Sequence, residues 1–301
     1  MNQSIESILV PTDGSEGAQK GTRRGIDLAE KVGADLHVLS VVDSREIEPS
    51  LSSLDDADRT NREGVYEKRA ERAIDSVTNP ARSQLSGRIT TAIEWGIPFQ
   101  EIADYVERRG IDLVVMGTHG RTGLERYLIG SVTEKLLRTV DVPVVAVPPD
   151  ADEIELGEGE YGDILLPTDS SEPAEAAIDW GISLAKVYDA TVHTVYSVDT
   201  SRFVSVEETG EIYDSLEKAG ESALERVRKR ATAADISVAG SLGTGPAAQM
   251  ILTYSDEHDI DMIVMGTHGR SGINRYLIGS VTESVLRSAD VPVCCVPMED
   301  Q

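Results

Sequence analysis

Met116-Gly117-Thr118-His119-Gly120-Arg121, continuing to Ile129-Gly130-Ser131-Val132-Thr133-Glu134, is the stretch that decides the fold, and the chain contains it twice. The second copy runs from Met265 to Glu283 with the same spacing, and positions 116–144 and 265–293 share 22 identical residues of 29. Each copy follows an apolar run that predicts a buried strand, and each leads into a helical periodicity that starts at the Gly-Ser pair. A glycine turn after a strand, with a second glycine where a helix begins, brings backbone N–H groups up to an anion such as phosphate.

Both halves of the chain alternate short apolar runs with amphipathic segments. Strands are predicted at 7–13, 34–43, 88–94, 111–116 and 142–147, and again at 164–169, 191–199, 236–239, 260–265 and 291–296. A helix predicted over 62–77 should end before Asn79-Pro80, because the residue before proline disfavours the helical conformation. Continuous apolar strands alternating with helices predict an α/β fold, with a parallel sheet covered on both faces in each half. We expect domain 1 at 1–149, an acidic linker at 150–161 and domain 2 at 162–301.

The charge of the chain restricts its partners. The formal net charge is −25 and the sequence pI is about 4.5, so the summed field repels nucleic acids and anionic membranes. Of the 28 basic residues, 21 are Arg and 7 are Lys, and residues 151–301 carry a charge of −18 against −7 for residues 1–150. We interpret this balance as halophilic, a means of staying in solution in a salt-rich cytosol, although an ordinary acidic cytosolic protein is the alternative.

The N-terminal residues and the two cysteines restrict the location and the chemistry that we expect of the protein. The N-terminal residues lack an apolar targeting core, and no apolar stretch approaches membrane-spanning length, so we expect a soluble cytoplasmic protein. The two cysteines, Cys294 and Cys295, are adjacent in an apolar run. Because neighbours on a strand point to opposite faces, packing is expected for both, rather than a disulfide or a metal site.

Candidate ligand-binding residues lie at the carboxyl ends of the first and fourth strands, which are neighbours in a sheet of this type. Gly117 and Gly120 allow a ligand to approach the backbone, and Gly130 removes a side chain where the helix begins. Ser131 is a suitable helix cap with a hydroxyl group, and the helix dipole adds partial positive charge. Two arginines per half have the geometry to bind phosphate oxygens, or else form surface salt bridges. They are Arg121 and Arg126 in the first half, and Arg270 and Arg275 in the second.

Other residues near these strand ends each have both ligand-binding and structural interpretations. Asp13 and Asp169 could accept from a ribose hydroxyl or an adenine amino group, hold Mg²⁺, or cap a helix. Val41 could form an apolar wall for a base or pack in the core. His119 and its twin in the second half are interpreted as loop supports, with a catalytic base as the alternative, and no Ser-His-Asp triad spacing is found. The pattern is neither a Walker loop nor G-x-G-x-x-G, so it indicates an anion or nucleotide site without naming the ligand.

Gly117-x-x-Gly120, nine residues, then Gly130-Ser131, together with Pro11-Thr12-Asp13, resembles the ATP-binding members of the universal stress protein family, and the second half matches equally. The resemblance implies a flavodoxin-like five-stranded sheet, of order 3-2-1-4-5, in each half. It implies these ligand-binding positions in the first half: Pro11, Thr12, Asp13, Val41, Met116, Gly117, Gly120, Arg121, Gly130, Ser131, Val132 and Thr133. It implies these in the second half: Pro167, Thr168, Asp169, Ser197, Met265, Gly266, Gly269, Arg270, Gly279, Ser280, Val281 and Thr282.

The resemblance also implies a function and an assembly. It implies binding of ATP, AMP or ADP, with Mg²⁺ near Asp13, in a regulatory or protective stress-response protein. Pairing through residues 143–147 and 292–296 would make an internal pseudo-dimer, and a homodimer of chains is a further expectation. A slow ATPase or nucleotidyl-transferring enzyme, and a structural protein with empty sites, are the alternatives. The second site departs from the family at Ser197, which replaces Val41, and Tyr196 beside it could intrude or stack.

Overall fold

The computed structural model describes residues 4–45, 56–120, 129–154, 161–199, 209–269 and 277–298. These residues divide into two compact units, Ser4–Gly159 and Glu160–Gln301, which we call domain 1 and domain 2.

Domain 1 is built on a five-stranded sheet of order β3-β2-β1-β4-β5 in which every neighbouring pair is parallel. Its elements are β1 (Ser7–Pro11), α1 (Glu16–Val32), β2 (Asp35–Asp43), α2 (Asp56–Gln84), β3 (Ile89–Gly96), α3 (Pro98–Arg109), β4 (Leu113–Gly117), α4 (Ser131–Leu136) and β5 (Val144–Val147). The central strands are buried almost throughout because helices cover both faces, whereas the edge strand β3 is half-buried.

Domain 2 repeats this arrangement with the order β8-β7-β6-β9-β10, again with parallel neighbours. Its elements are β6 (Asp163–Pro167), α5 (Glu172–Tyr188), β7 (Thr191–Val198), α6 (Thr209–Ala233), β8 (Val238–Thr244), α7 (Ala247–Glu257), β9 (Met262–Gly266), α8 (Ser280–Ser288) and β10 (Val293–Val296). Both domains therefore have the order 3-2-1-4-5, which confirms the predicted flavodoxin-like fold.

Helix α2 shows that the prediction of a helix end before Asn79-Pro80 is wrong. The helix runs on to Gln84 with Pro80 inside it. Its buried apolar positions continue past the proline, since Val77 and Ala81 are both fully buried. Packing of this stripe against the sheet outweighs the hydrogen bond that proline cannot donate, an effect that local preference does not include.

Strand β8 is longer than the predicted strand at 236–239. Its last residues pair with β7 as far as Val198 and Thr244, and Gly245 then turns the chain with φ 116° before α7 begins. Pairing with an already buried neighbour extends this glycine-containing segment, although its own β propensity is low.

The two cysteines both lie buried on β10 as free thiols. Burial raises the pKa of the Cys294 thiol to about 12 and raises that of Cys295 as well, so both stay protonated and pack as small apolar groups. None of the helices in the described ranges is long and apolar enough to cross a membrane.

Candidate functional site

A cleft of about 240 Å³ lies at the carboxyl edge of the domain 1 sheet. It is formed by the ends of β1, β2 and β4 and by the first turns of α3 and α4. Its lining residues are Pro11, Thr12, Asp13, Ala18, Leu39, Val41, Asp43, Arg45, Pro98, Ile102, Met116, Gly117, Thr118, His119, Gly120, Gly130, Ser131, Val132 and Thr133. Every site residue predicted in the first half is thus at this cleft except Arg121, which lies outside the described residues, as does Arg126.

Asp13 faces the glycine loop, which is residues 117–120 after β4, across the cleft. Its Oδ1 accepts from the backbone N–H of Ser15 at 2.9 Å, which braces the turn after β1. A Cβ placed on Gly120 would lie 3.1 Å from Oδ2 of Asp13, so that the second oxygen borders the space that the glycine leaves open. Capping of α1 belongs to Ser15, whose Oγ accepts from the N–H of Ala18, and not to Asp13. The aspartate is therefore placed to meet a ligand beside the loop.

The loop after β4 is joined closely to the start of α4. The N–H of Gly130 donates to the carbonyl of Thr118 at 2.7 Å, and the buried Thr133 hydroxyl donates to the carbonyl of Gly117 at 3.0 Å. A Cβ on Gly130 would lie 2.6 Å from that Thr118 oxygen, so a glycine is required for the close approach. These two bonds hold the loop and the helix start as one unit.

The prediction that Ser131 caps α4 is wrong. Gly130 occupies the N-cap without a side-chain bond, and Ser131 is the first helical residue. Glu134 is the first residue whose N–H reaches back along the helix, to Gly130 at 3.0 Å. The N–H groups of Ser131, Val132 and Thr133 precede this first helical bond, so helix geometry presents them at the cleft with the dipole's positive end.

A glycine stripe on α1 is a functional feature that the sequence interpretation missed. Gly17, Gly21 and Gly25 recur every four residues and share one face of the helix. A Cβ on Gly21 would lie 2.5 Å from the backbone nitrogen of Gly117, and one on Gly17 would collide with the carbonyl of His119. The missing side chains let α1 lie directly against the glycine loop. The repeat of small residues at a spacing of four was the available signal.

His119 is held by the loop itself. Its Nδ1 lies 2.9 Å from the hydroxyl of Thr118, and His268 makes the same contact with Thr267 in domain 2. Both threonines are buried, so each ring is tied to a rigid neighbour. The geometry favours the loop-supporting interpretation of these histidines over the catalytic one.

Asp43 and Arg45 also line the cleft and were not predicted. Nε and Nη2 of Arg45 donate to the two carboxylate oxygens of Asp43 at 2.9 and 2.6 Å, at the end of β2. The signal in the sequence was weak, because a charged pair after a strand more often lies on a solvated surface.

Domain 2 repeats the arrangement of the glycine loop and the helix start. The Thr282 hydroxyl donates to the carbonyl of Gly266 at 2.8 Å, and the N–H of Gly279 donates to Thr267 at 2.8 Å. A Cβ on Gly269 would lie 2.9 Å from Oδ2 of Asp169. Pro167, Thr168 and Asp169 at the end of β6 thus meet Met265, Gly266 and Gly269 at the end of β9, with Ser280, Val281 and Thr282 opening α8. Arg270 and Arg275 lie outside the described residues.

The wall formed by the end of the second strand differs between the domains. Pro11 pairs with Leu39 and Pro167 pairs with Val195, so Val41 and Ser197 occupy equivalent positions two residues further on. The Ser197 hydroxyl donates to the carbonyl of Gly245 at 2.6 Å. A polar group bound to the turn before α7 therefore replaces the apolar side chain of domain 1.

Tyr196 does not intrude into the second site, contrary to the expectation. It is 2 % exposed and packs with Ala223 and Leu224 of α6. Because successive residues of a strand face opposite sides of the sheet, its ring lies on the face away from Ser197.

The turn after β6 carries a further difference. Ser170 replaces Gly14 of domain 1 and has a left-handed backbone with φ 64°. Nη2 of Arg226 lies 2.7 Å from the Ser170 hydroxyl, and its Nε lies 3.4 Å from Oε1 of Glu175. Where domain 1 uses glycine, domain 2 uses an arginine to secure the turn that bears Asp169.

Comparison with known proteins gives one consistent result. The family model described as "Universal stress protein family" matches residues 4–148 and again 160–297. A universal stress protein of Methanocaldococcus jannaschii is 36% identical over 143 residues, which cover 46% of this chain and 84% of that protein. One from Synechocystis is 23% identical over 308 residues, covering 96% of this chain and 99% of the relative. The crystal structure of a universal stress protein from Archaeoglobus fulgidus superposes with a TM-score of 0.73 at 21% identity, covering 99% of this chain and 98% of that one.

Proposed function

Because the chain belongs to the universal stress protein family, we propose that domain 1 binds an adenine nucleotide, ATP or AMP, in its cleft and serves a regulatory or protective role in the stress response. The observation that carries the proposal is the juxtaposition of the α4 N-terminus with the side-chain-free space at Gly120 and the Asp13 carboxylate. An anion, a sugar hydroxyl and a base each find a complementary surface there.

The residues present fit each part of a nucleotide. The N–H groups that open α4 suit phosphate oxygens, and the glycines leave room for them beside the backbone. Oδ2 of Asp13 suits a ribose hydroxyl. Leu39, Val41 and Ile102 offer apolar surface to a base. Among the described residues no group of three or more potential metal-ligating side chains is found, so Mg²⁺ would be held mainly by phosphates and water, with Asp13 as its protein ligand.

Domain 2 is proposed to bind more weakly or to prefer another ligand. Its phosphate-facing bonds match those of domain 1, but Ser197 makes the wall more polar. Burying an apolar or aromatic base against a hydroxyl gains less than burying it against valine.

The test is calorimetric titration of the full chain with ATP and with AMP, using a pair of matched variants. Gly120→Val fills the space beside Asp13, and Gly269→Val does the same beside Asp169, while each new side chain meets a carboxylate rather than backbone. We expect Gly120→Val to reduce nucleotide affinity roughly tenfold or more, the effect of overpacking at a contact, and Gly269→Val to have a smaller effect. Absence of binding by the wild-type chain at millimolar nucleotide would refute the proposal and favour a structural role.

Turnover decides between binding protein and enzyme. Phosphate release by the wild-type chain over many turnovers, lost in Gly120→Val, would establish the slow ATPase alternative. We expect release no faster than that of the variant, because the geometry ties His119 to Thr118.

We propose, in addition, that the acidic surface serves stability in concentrated salt. The support is the net charge of −25, whose self-repulsion is screened at high ionic strength. Loss of circular dichroism at low salt, restored in molar salt, is the expected result. Pairing of the two domains through their last strands, and of two chains with each other, stay predictions for light scattering and cross-linking.

A further inference from the structure

The segment that follows β5 is attached to helix α1 of its own domain, and we call its residues 148–154 the strap. Nζ of Lys20 donates to the carbonyl of Ala151 at 2.7 Å, and Nη2 of Arg24 donates to the carbonyl of Asp152 at 3.0 Å. Ala151 is 1% exposed and Arg24 is 7% exposed, so water reaches only part of the attachment. Hydrogen bonds from charged donors are stronger than neutral ones, and partial burial reduces their screening by salt.

The cations that hold the strap occur only in the first of the two repeated helices. Counted from the serine that caps α1 and α5 alike, Lys20 corresponds to Ala176 and Arg24 corresponds to Trp180. The chain has a net charge of −25, so two cations directed at one backbone segment are a specific feature of α1. Both bonds go to backbone carbonyls, so they depend on the side chains of α1 and not on the acidic side chains of the strap.

The strap and α1 each contact the glycine loop as well as each other. The N–H of Thr118 donates to the carbonyl of Val147, the residue before the strap, at 2.8 Å. A Cβ on Gly21 would lie 2.5 Å from the nitrogen of Gly117, so α1 lies directly against the loop. Lys20 and Gly21 are neighbours on this helix. Because close-packed elements transmit displacements, α1 cannot leave the strap without also moving against the loop.

We propose that attachment of the strap to α1 holds the glycine loop in its binding position, so that the strap and a bound nucleotide stabilise each other. The part that concerns the nucleotide rests on the function proposed above. A loop that is fixed before the ligand arrives loses less conformational entropy on binding, which favours binding. Such coupling is reciprocal, so the nucleotide must favour the attached strap. Occupancy of the cleft is thereby reported at the segment of chain that leads to domain 2.

The experiment is hydrogen exchange of the full chain, measured by mass spectrometry, on Lys20→Met. Methionine cannot donate to Ala151, whose own N–H donates to Pro148 at 3.2 Å and serves as a protected reporter within the strap. The matched control is Lys68→Met, which removes the same charge from an exposed position on α2. Without nucleotide, we expect Lys20→Met to speed exchange of the strap roughly tenfold, the scale of a hydrogen bond from a charged group. Exchange of the glycine loop should also become faster, and the control should exchange as the wild type does.

The second arm adds ATP at saturation, with calorimetry to establish that it binds. We expect ATP to slow exchange of the strap in the wild-type chain roughly fivefold or more, the usual range of coupling between two sites. Strand β7 of domain 2 is the internal reference, and its unchanged exchange shows that Lys20→Met remains folded.

Each remaining outcome overturns a defined part of the reasoning. Unchanged exchange of the strap in Lys20→Met would refute its attachment through this lysine. Faster exchange of the strap without any change in the glycine loop would refute the coupling between them, and so would ATP that binds without slowing the strap. A wild-type chain that binds no nucleotide would refute the proposed function, whereas the comparison without nucleotide would still decide whether the strap holds the loop.

Discussion

Substitution of Gly21 by alanine tests how closely helix α1 must approach the glycine loop. A Cβ at this position would lie 2.5 Å from the nitrogen of Gly117 and 2.7 Å from the carbonyl carbon of Met116. Both are backbone atoms, which cannot rotate away as a side chain would. Ordinary contacts of a Cβ begin at 3.4 Å, so α1 must retreat by about 1 Å from the end of β4. Overpacking of this kind costs about 1–3 kcal/mol.

The matched control is Gly64→Ala on α2, where a Cβ would meet nothing within 4 Å. Alanine stabilises a helix by roughly 1 kcal/mol relative to glycine at either position, so the difference between the two variants isolates the steric effect. We expect Gly21→Ala to be less stable than Gly64→Ala by about 1–3 kcal/mol, or roughly 2–12 °C in the Tm of a domain of this size. Differential scanning calorimetry of the full chain measures both, and the nucleotide affinity of Gly21→Ala should fall as the loop shifts.

Domain 2 sets a bound on this expectation. Ala177 occupies the position equivalent to Gly21 and is 1% exposed, so the fold accommodates a Cβ there when the helix is placed to receive it. Gly21→Ala should therefore fold with a displaced α1. Equal Tm values for the two alanine variants, with unchanged nucleotide binding, would refute the reasoning that close contact of α1 with the loop is required.

Three further predictions concern single contacts. Thr133→Val leaves the buried Gly117 carbonyl without its 3.0 Å donor. It should destabilise domain 1 by about 1–3 kcal/mol and weaken nucleotide binding. Calorimetry measures both effects, with Thr282→Val as the domain 2 counterpart. Burial lowers the pKa of His37, and nearby Arg109 lowers it further, so the folded state binds fewer protons than the unfolded state. The free energy of unfolding should therefore fall as pH drops below about 6.5. In urea unfolding, this fall in free energy should be smaller for His37→Gln. Arg226→Met should lower the Tm of domain 2 slightly. Adding Ser170→Gly should restore the Tm, because glycine takes the left-handed conformation without the penalty of about 1 kcal/mol that serine carries there. An unrestored Tm would mean that Arg226 does not support this turn.

The parts of the site that sequence predicts well are those where only one residue type satisfies the backbone. Gly120 and Gly130 were located by spacing alone, and a Cβ at either would meet the Asp13 carboxylate or the Thr118 carbonyl. Continuous apolar strands likewise predict a parallel sheet, because only such a sheet is buried on both faces. The positions of Asp13 and Gly117 at neighbouring strand ends follow from that topology.

The parts that sequence predicts poorly depend on which elements lie opposite each other. Pro80 looked like a helix end, yet burial of Val77 and Ala81 carries α2 through it. Tyr196 looked able to enter the second site, yet α6 packs on its face of β7. The position of Arg45 in the lining of the cleft required knowing that β2 ends there. In each case the decisive energy comes from a tertiary contact that no local window contains.

The duplication allows the two sites to be compared within one chain. Both domains keep the same bonds where the helix opens, from Thr133 or Thr282 to the loop carbonyl. They differ at the end of the second strand of each sheet, where Val41 is matched by Ser197. Phosphate is common to all nucleotides, whereas the base distinguishes one from another. If both domains bind a nucleotide as proposed, the difference between Val41 and Ser197 alters which ligand is chosen and how tightly it is held, while the shared bonds at the helix start keep the same demand for an anionic group. Selectivity between the two sites should accordingly follow the base and be indifferent to the number of phosphates.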